Sequence, residues 1–288
     1  SMICNLLAIA RAKATDALTL HDLNQIESYF LREFCSIADR TKTIFEAGLF
    51  GIIDLLSRGS LYATFGQSTN FTPSDCEDGK IIVVDWPIST HGPIGLIAQT
   101  LVKLAFQRMA QQRSGNNNQP VFQVIDEFQS LITDTDYQHC AVSRESRVVN
   151  VLITQSISSL YAVLGADESG KAAVDSLLGL ANIKIFHANA DHISNTWAAD
   201  VIGRRLLRTR SCSLNHAPYR EFEIFPEQPG FTTTSAETIE YAVMPHVFTS
   251  LLRGGPPKLQ TEAIVFGSGR VWKTTNETYL KVVFNQGF

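Results

Sequence analysis

Asp126 and Glu127 are the residues of this chain best placed to do chemistry. They close the run Val121-Phe122-Gln123-Val124-Ile125-Asp126-Glu127-Phe128, in which a mostly apolar stretch delivers two adjacent carboxylates to its end. Such a stretch predicts a buried strand, and an open α/β sheet places its ligands beyond the carboxyl ends of its strands. Two adjacent acids suit magnesium-dependent nucleotide hydrolysis. The first can hold the metal through its water shell, and the second can orient and deprotonate the attacking water. The plainer alternative is a strand that ends in two solvated acids. A second apolar run, Val148-Val149-Asn150-Val151-Leu152-Ile153-Thr154, ends in Gln155-Ser156. A glutamine at that tip can hydrogen-bond a γ-phosphate or the water and report nucleotide state. Taken alone, Thr-Gln-Ser is also ordinary strand-to-helix punctuation with Ser156 as N-cap. The acid pair and the amide at the ends of successive strands together favour a nucleotide-driven motor.

Several elements must position these groups. Residues 1–60 read as helices, with Thr19-x-x-Asp22 as a capping box and Leu20, Leu23, Ile26, Phe30 and Phe34 at helical spacing. A polar, turn-rich stretch from Gly66 to Gly79 leads into a strand over 81–86, then an amphipathic helix over 93–113 and a loop over 114–120. Beyond Gln155 the pattern predicts helices near 157–164 and 168–180, a strand over 182–187 and a helix over 191–203. An irregular stretch over 208–235 follows, then a helix near 236–252, a Gly-Gly-Pro-Pro break at 254–257, and paired strands over 261–267 and 277–284. Strands alternating with helices predict an α/β fold with a mostly parallel sheet. Gln123 puts a polar group into the acid-bearing strand, which moves that strand towards a sheet edge. The expected domains are a helical segment over 1–60 and an α/β core over 61–288 that ends in a β-hairpin.

Composition fits such a protein. The chain has 288 residues, 44% of them hydrophobic, and a net charge of −4, which does not advertise nucleic acid. A ring-shaped motor can nonetheless gather positive charge in its pore while its outer face stays acidic. No apolar stretch reaches the ~18 residues that span a bilayer, and no signal peptide is visible. Cys4, Cys35, Cys76, Cys140 and Cys212 are scattered without a C-x-x-C pair, as expected of reduced thiols. His187 and His192 lie five apart but across a predicted strand-to-helix loop, which argues against a shared metal. Arg204, Arg205, Arg208 and Arg210 follow the helix that ends near Gly203. They either complement the negative end of that helix or meet a phosphate or a neighbouring subunit.

The element missing from this reading is a phosphate-binding loop. No G-x-x-x-x-G-K-[ST] precedes residue 120. Gly165-Ala166-Asp167-Glu168-Ser169-Gly170-Lys171-Ala172 comes within one residue of it. However, Ala172 has no hydroxyl for magnesium, the segment follows a predicted helix, and Asp167 and Glu168 would repel phosphate. It is read as a decoy.

Asp126-Glu127 is the Walker B pattern of P-loop ATPases that add a catalytic glutamate. Asp126-Glu127-Phe128-x-x-Leu131 with Ile153-Thr154-Gln155-Ser156-Ile157-Ser158-Ser159-Leu160 resembles the TraG/TraD family of type IV secretion coupling proteins, relatives of the FtsK and HerA DNA pumps. Four further blocks fit in the same order. They are Gly79 to Pro87, Asn182 to Phe186, Asp191 to Gly203 with its polar positions reshuffled, and Gly269-Arg270-Val271-Trp272 with Tyr279 to Gln286. The resemblance runs from about residue 35 to the end.

The resemblance implies a RecA-like P-loop ATPase core lacking its Walker A unit, with residues 1–60 the remnant of an all-helical insertion. It implies a longer parent with a membrane anchor and a phosphate loop upstream, and a chain that is inactive alone. The implied cofactors are ATP and Mg2+, with Asp126 holding the magnesium through water, and with Glu127, Gln155 and Arg144 catalytic. Arg144, or Arg147 beside it, matches the position of an arginine finger that reaches into a neighbouring subunit's site; the plain alternative is a surface arginine at a helix end. The implied parent is a homo-hexamer at the cytoplasmic face of the bacterial inner membrane. It would pump single-stranded DNA with its attached relaxase and relaxosome proteins into a type IV secretion channel. A nucleotide-independent docking module for secretion cargo, or a HerA- or FtsK-like DNA pump, are the alternatives.

Overall fold

A computed structural model describes residues 2–113, 119–215 and 230–287. They divide into two compact units, residues 1–72 with 86–98, and residues 73–85 with 99–288.

The first unit is helical, with α1 (Met2–Lys13), α2 (Ala17–Ser28), a π-helical turn (Tyr29–Glu33), α3 (Phe34–Ser36), α4 (Asp39–Leu56), α5 (Gly59–Phe65) and α6 (Ile88–His91). The capping box expected at Thr19 is not the start of α2. Asp16 is the N-cap, and its carboxylate accepts from the Thr19 N–H at 2.8 Å and from the Thr19 hydroxyl at 2.6 Å. An ionised carboxylate takes both donors, so Thr19 is drawn into the helix.

The long helix α7 (Pro93–Gln112), which belongs to the second unit from Gln99 on, leads to β1 (Val121–Ile125), α8 (Phe128–Leu131), α9 (Asp136–Val142) and β2 (Val148–Leu152). Next come α10 (Ile157–Leu164), α11 (Glu168–Leu180), β3 (Ile183–His187) and α12 (His192–Ile202). The chain continues through β4 (Arg204–Asn215), β5 (Gly230–Tyr241), α13 (Pro245–Ser250), β6 (Gln260–Gly267) and β7 (Tyr279–Asn285). β1 and β2 pair in parallel, from Val121 opposite Val148 to Ile125 opposite Leu152. The period of two along β1 buries Val121, Gln123 and Ile125 and exposes Phe122 and Val124. Phe106 and Ala110 of α7 pack with Val121 and Val148 on the buried face. A second core gathers Ala198, Ala199 and Ile202 of α12 with Phe248, Ile264 and Phe266.

The α/β class and the parallel pair at the acids match expectation, but parallel pairing is not dominant. Among the described residues β3–β6, β6–β7 and β4–β5 are all antiparallel. Parallel neighbours need a long crossover. β6 and β7 are joined by a short connection that makes them a hairpin, and β3 adds to its edge.

Three local expectations give way to tertiary context. Residues 81–86 form no strand, and Ile81 and Val83 are 90% and 81% exposed. Strand propensity supplies no ladder hydrogen bonds, so an apolar run forms no strand unless another strand is placed beside it. The stretch expected to be irregular carries β4 and β5, paired from Arg204 opposite Tyr241 to Asn215 opposite Gly230; its residues 216–229 lie outside the described ones. The helix expected over 236–252 is confined to Pro245–Ser250. Thr232, Thr233, Thr234, Thr238 and Ile239 are β-branched, and ladder pairing overrides the helical propensity of Ala236 and Glu237.

Candidate functional site

Parallel pairing at this register brings the carboxyl ends of β1 and β2 together, and hydrogen bonds past the strands hold them there. Ile153 N–H donates to the Ile125 carbonyl at 2.9 Å, and Phe128 N–H donates to the Ile153 carbonyl at 2.8 Å. The chain then turns sharply. Glu127 has φ 49° and ψ 43°, a left-handed conformation that disfavours any residue with a Cβ by roughly 1–2 kcal/mol. The turn lets α8 start at once and leaves the Glu127 side chain exposed beyond the strand ends.

Gln155 arrives at the same point from β2. Its amide Nε2 donates to Glu127 Oε1 at 2.8 Å and to Oε2 at 3.0 Å. The acid and the amide, twenty-eight residues apart in sequence, thus form one constellation. Ser156 is the N-cap of α10, its hydroxyl accepting from Ser159 N–H at 3.1 Å, so punctuation and site coexist at this tip.

Asp126 is exposed, and its Oδ1 accepts from the Glu127 N–H at 2.9 Å. One carboxylate at a strand end, with its second oxygen turned to no hydrogen bond among the described residues, suits a magnesium ion that keeps most of its water. It does not suit a dedicated protein cage. Among the described residues no group of three or more His, Cys, Asp or Glu could hold a metal, and the ring Nδ1 of His187 lies 3.2 Å from the Glu262 carbonyl. None of the five cysteines forms a disulfide.

Arg144 and Arg147 stand elsewhere. Arg147 N–H bonds the Arg144 carbonyl at 3.2 Å in the turn after α9, and the Arg147 carbonyl accepts from Val121 N–H at 3.1 Å, at the start of β1. The length of β1 therefore separates them from Glu127, about 15 Å at the usual rise per residue. Within one chain neither arginine reaches the acids.

Residues not singled out as site candidates in the sequence complete the surroundings. Gln129 Nε2 donates to Glu127 Oε2, and Thr154 Oγ1 donates to Gln129 Oε1 at 2.8 Å. Asn189 Nδ2 donates to the Gln155 carbonyl at 2.9 Å, which ties the β2 tip to the segment after β3. Asp191 caps α12 through Ser194 N–H at 3.0 Å and accepts from the Ser158 hydroxyl at 2.9 and 3.0 Å. Burial pulls its pKa up, but the bonds from Ser194 and Ser158 prevail and hold the carboxyl below its usual value. Thr154, Ser158 and Asp191 stand in sequence blocks that carry the family resemblance, though with no role assigned there, whereas Gln129 and Asn189 had no signal beyond proximity.

The near-match around Lys171 has no phosphate cradle. The Asp167 side chain accepts from Gly170 N–H at 3.0 Å and occupies the N-terminus of α11, with Glu168 in the first turn. Of the four arginines that follow α12, Arg204 lies 3.7 Å from Asp200 in the last turns of that helix, and Arg208 pairs with Glu237 across the β4–β5 ladder at 2.7 Å.

Residues 120–246 match the family described as the TraM recognition site of TraD and TraG. No curated protein shows significant sequence similarity to the chain. Among solved structures, it is similar to the bacterial conjugative coupling protein TrwBdeltaN70 in its unbound monoclinic form, at 16% identity over 68% of this chain and 38% of that one, with a TM-score of 0.45. It is also similar to the plasmid coupling protein TrwB in complex with ADP and Mg2+, at 17% identity over 68% of this chain and 36% of that one, with a TM-score of 0.44. The chain thus spans less than two-fifths of the length of these proteins.

Proposed function

We propose that this chain, whose residues 120–246 match the family described as the TraM recognition site of TraD and TraG, is the catalytic-acid portion of a RecA-like conjugative ATPase. The observation that carries this reading is the Gln155 amide on both oxygens of Glu127, at 2.8 and 3.0 Å, beyond the ends of two parallel strands. Glu127 is the base that takes a proton from the attacking water, and Gln155 orients that carboxylate and meets the terminal phosphate. Asp126 holds magnesium through its water shell; bound there, the ion would neutralise charge on the phosphate oxygens. No part of the 288 residues provides a G-x-x-x-x-G-K-[ST] loop, so that loop comes from polypeptide outside them.

The intact protein is read as a hexamer on the cytoplasmic face of the inner membrane. It uses ATP to drive single-stranded DNA with its relaxase towards a type IV secretion channel, and a relaxosome protein docks on it. The family description, a recognition site for TraM, favours one second reading, a docking module that recruits cargo without using nucleotide.

Turnover and nucleotide binding by the intact protein test the two. Glu127→Gln is expected to leave MgATP binding nearly intact and to stop hydrolysis, because it removes the base and no phosphate contact. Asp126→Ala is expected to weaken MgATP binding as well. Near wild-type DNA transfer by either variant would leave docking as the function. The 288-residue chain alone is expected to show no ATPase activity, and magnesium-dependent turnover by it would refute the external phosphate loop.

A further inference from the structure

Gln129 is a half-buried side chain on the one-turn helix α8. Its carbonyl oxygen accepts the Thr154 hydroxyl at 2.8 Å, and its amide donates to Glu127 Oε2. Thr154 lies beyond β2, beside Gln155, so this relay starts from the same strand that carries Gln155. The Thr154 hydroxyl also lies 3.3 Å from the Ser156 carbonyl, but one hydroxyl hydrogen serves the shorter contact better. The opposite amide orientation would set two acceptors, Gln129 Oε1 and Glu127 Oε2, against each other with no hydrogen between them. The orientation is therefore determined by its partners.

An ionised carboxylate offers about four lone-pair positions. On Glu127, Gln129 takes one on Oε2, and the Gln155 amide nitrogen lies across both oxygens, 2.8 Å from Oε1 and 3.0 Å from Oε2. The carboxylate is thus held from two sides with lone pairs left for a water. We propose that Gln129 is a positioning residue for Glu127, with Thr154 orienting Gln129, so that the carboxylate keeps one orientation towards the attacking water. The need for such a device follows from the site. Glu127 is exposed and sits on a strained left-handed backbone, where an unheld carboxylate would rotate freely and spend most of its time off the line of attack. This inference rests on the hydrolytic reading above.

The test has a kinetic arm and a spectroscopic one. In the intact protein, Gln129→Ala is expected to lower kcat about tenfold or more with KM for MgATP unchanged, the order of loss that misplacing a catalytic group produces. Thr154→Val, which keeps the shape and removes the hydroxyl, is expected to lower kcat in the same way, and Thr154→Ser to retain most of it. Wild-type kcat in Gln129→Ala, or equal losses in Thr154→Val and Thr154→Ser, would overturn the relay. The spectroscopic arm follows the side-chain amide signals of the labelled 288-residue chain by NMR, without nucleotide. Glu127→Ala is expected to move the signals of both Gln129 and Gln155, and Thr154→Val to move that of Gln129. Amide signals that stay in place would sink the relay even where Glu127→Gln abolishes turnover. Full turnover in Glu127→Gln alongside shifted amides would instead sink the hydrolytic reading.

Discussion

Lys103 and Asp136 meet at 2.6 Å with side chains 3% and 2% exposed, and the pair is anchored on both sides. Asp136 also accepts from Gln107 Nε2 and Thr133 N–H, each at 2.7 Å, and Lys103 donates to the Leu131 carbonyl at 2.5 Å. Leu131 ends α8, so this buried network fixes the helix that carries Gln129. Burying two charges is not in itself stabilising, but removing one leaves the other uncompensated, which costs about 3–5 kcal/mol. Lys103→Met and Asp136→Ala are each expected to lose stability on that scale in chemical denaturation. The pair replaced together is expected to lose less than the two single losses added. Single losses below about 1 kcal/mol would mean that water reaches the pair. Neither residue belongs to a motif. A lysine within an amphipathic helix and an aspartate at the start of another are what solvated faces also contain, so only the fold shows that they are buried against each other.

At the scale of elements, α12 passes into β4 through one residue. Gly203 has φ 99° and ψ −168°, a region open essentially to glycine alone. A Cβ there would meet no atom within 4 Å, so the constraint is the backbone and not space. Gly203→Ala is expected to cost about 1–3 kcal/mol, read as a lowered denaturation midpoint with an unchanged slope. Wild-type stability would show that the junction can relax into an ordinary conformation. The same junction explains the arginines that follow it. Arg204 stays near the helix end, 3.7 Å from Asp200, while Arg208 leaves it for Glu237 on the paired strand. Sequence spacing put all four at a helix terminus because the β4–β5 ladder is a long-range pairing that no local pattern announces.

For the whole molecule, the placement of Arg144 matters most. It lies at the far end of β1 from Glu127, so a finger role requires a second subunit to bring it to the acids. In the intact protein Arg144→Ala is expected to abolish ATP hydrolysis while sparing ATP binding and assembly. Mixing those subunits with Glu127→Gln subunits is expected to restore part of the activity, because some interfaces then pair an intact Arg144 with an intact Glu127. No recovery on mixing would make Arg144 structural, and recovery with Arg147→Ala in its place would assign the finger to that neighbour.

The strand that ends in Asp126-Glu127, the strand that ends in Gln155, and the helices over 157–164, 168–180 and 191–203 were legible because each is specified within itself. An apolar run, a capping serine or aspartate, and a 3.6-residue period are local signals, and the match over residues 120–246 covers this same stretch. Contacts between distant residues were not legible. Ile81 to Trp86 has the composition of a strand and forms none, while residues 230–241 have helical propensity in part and a ladder that overrides it. The sequence by itself determined which side chains stand at the ends of β1 and β2. The tertiary structure decided that parallel pairing brings those ends together, that Gln155 and Gln129 close on one carboxylate, and that Arg144 is carried away from it. The physical reason is that hydrogen-bond geometry and burial depend on which elements become neighbours, and that choice is made by the whole chain.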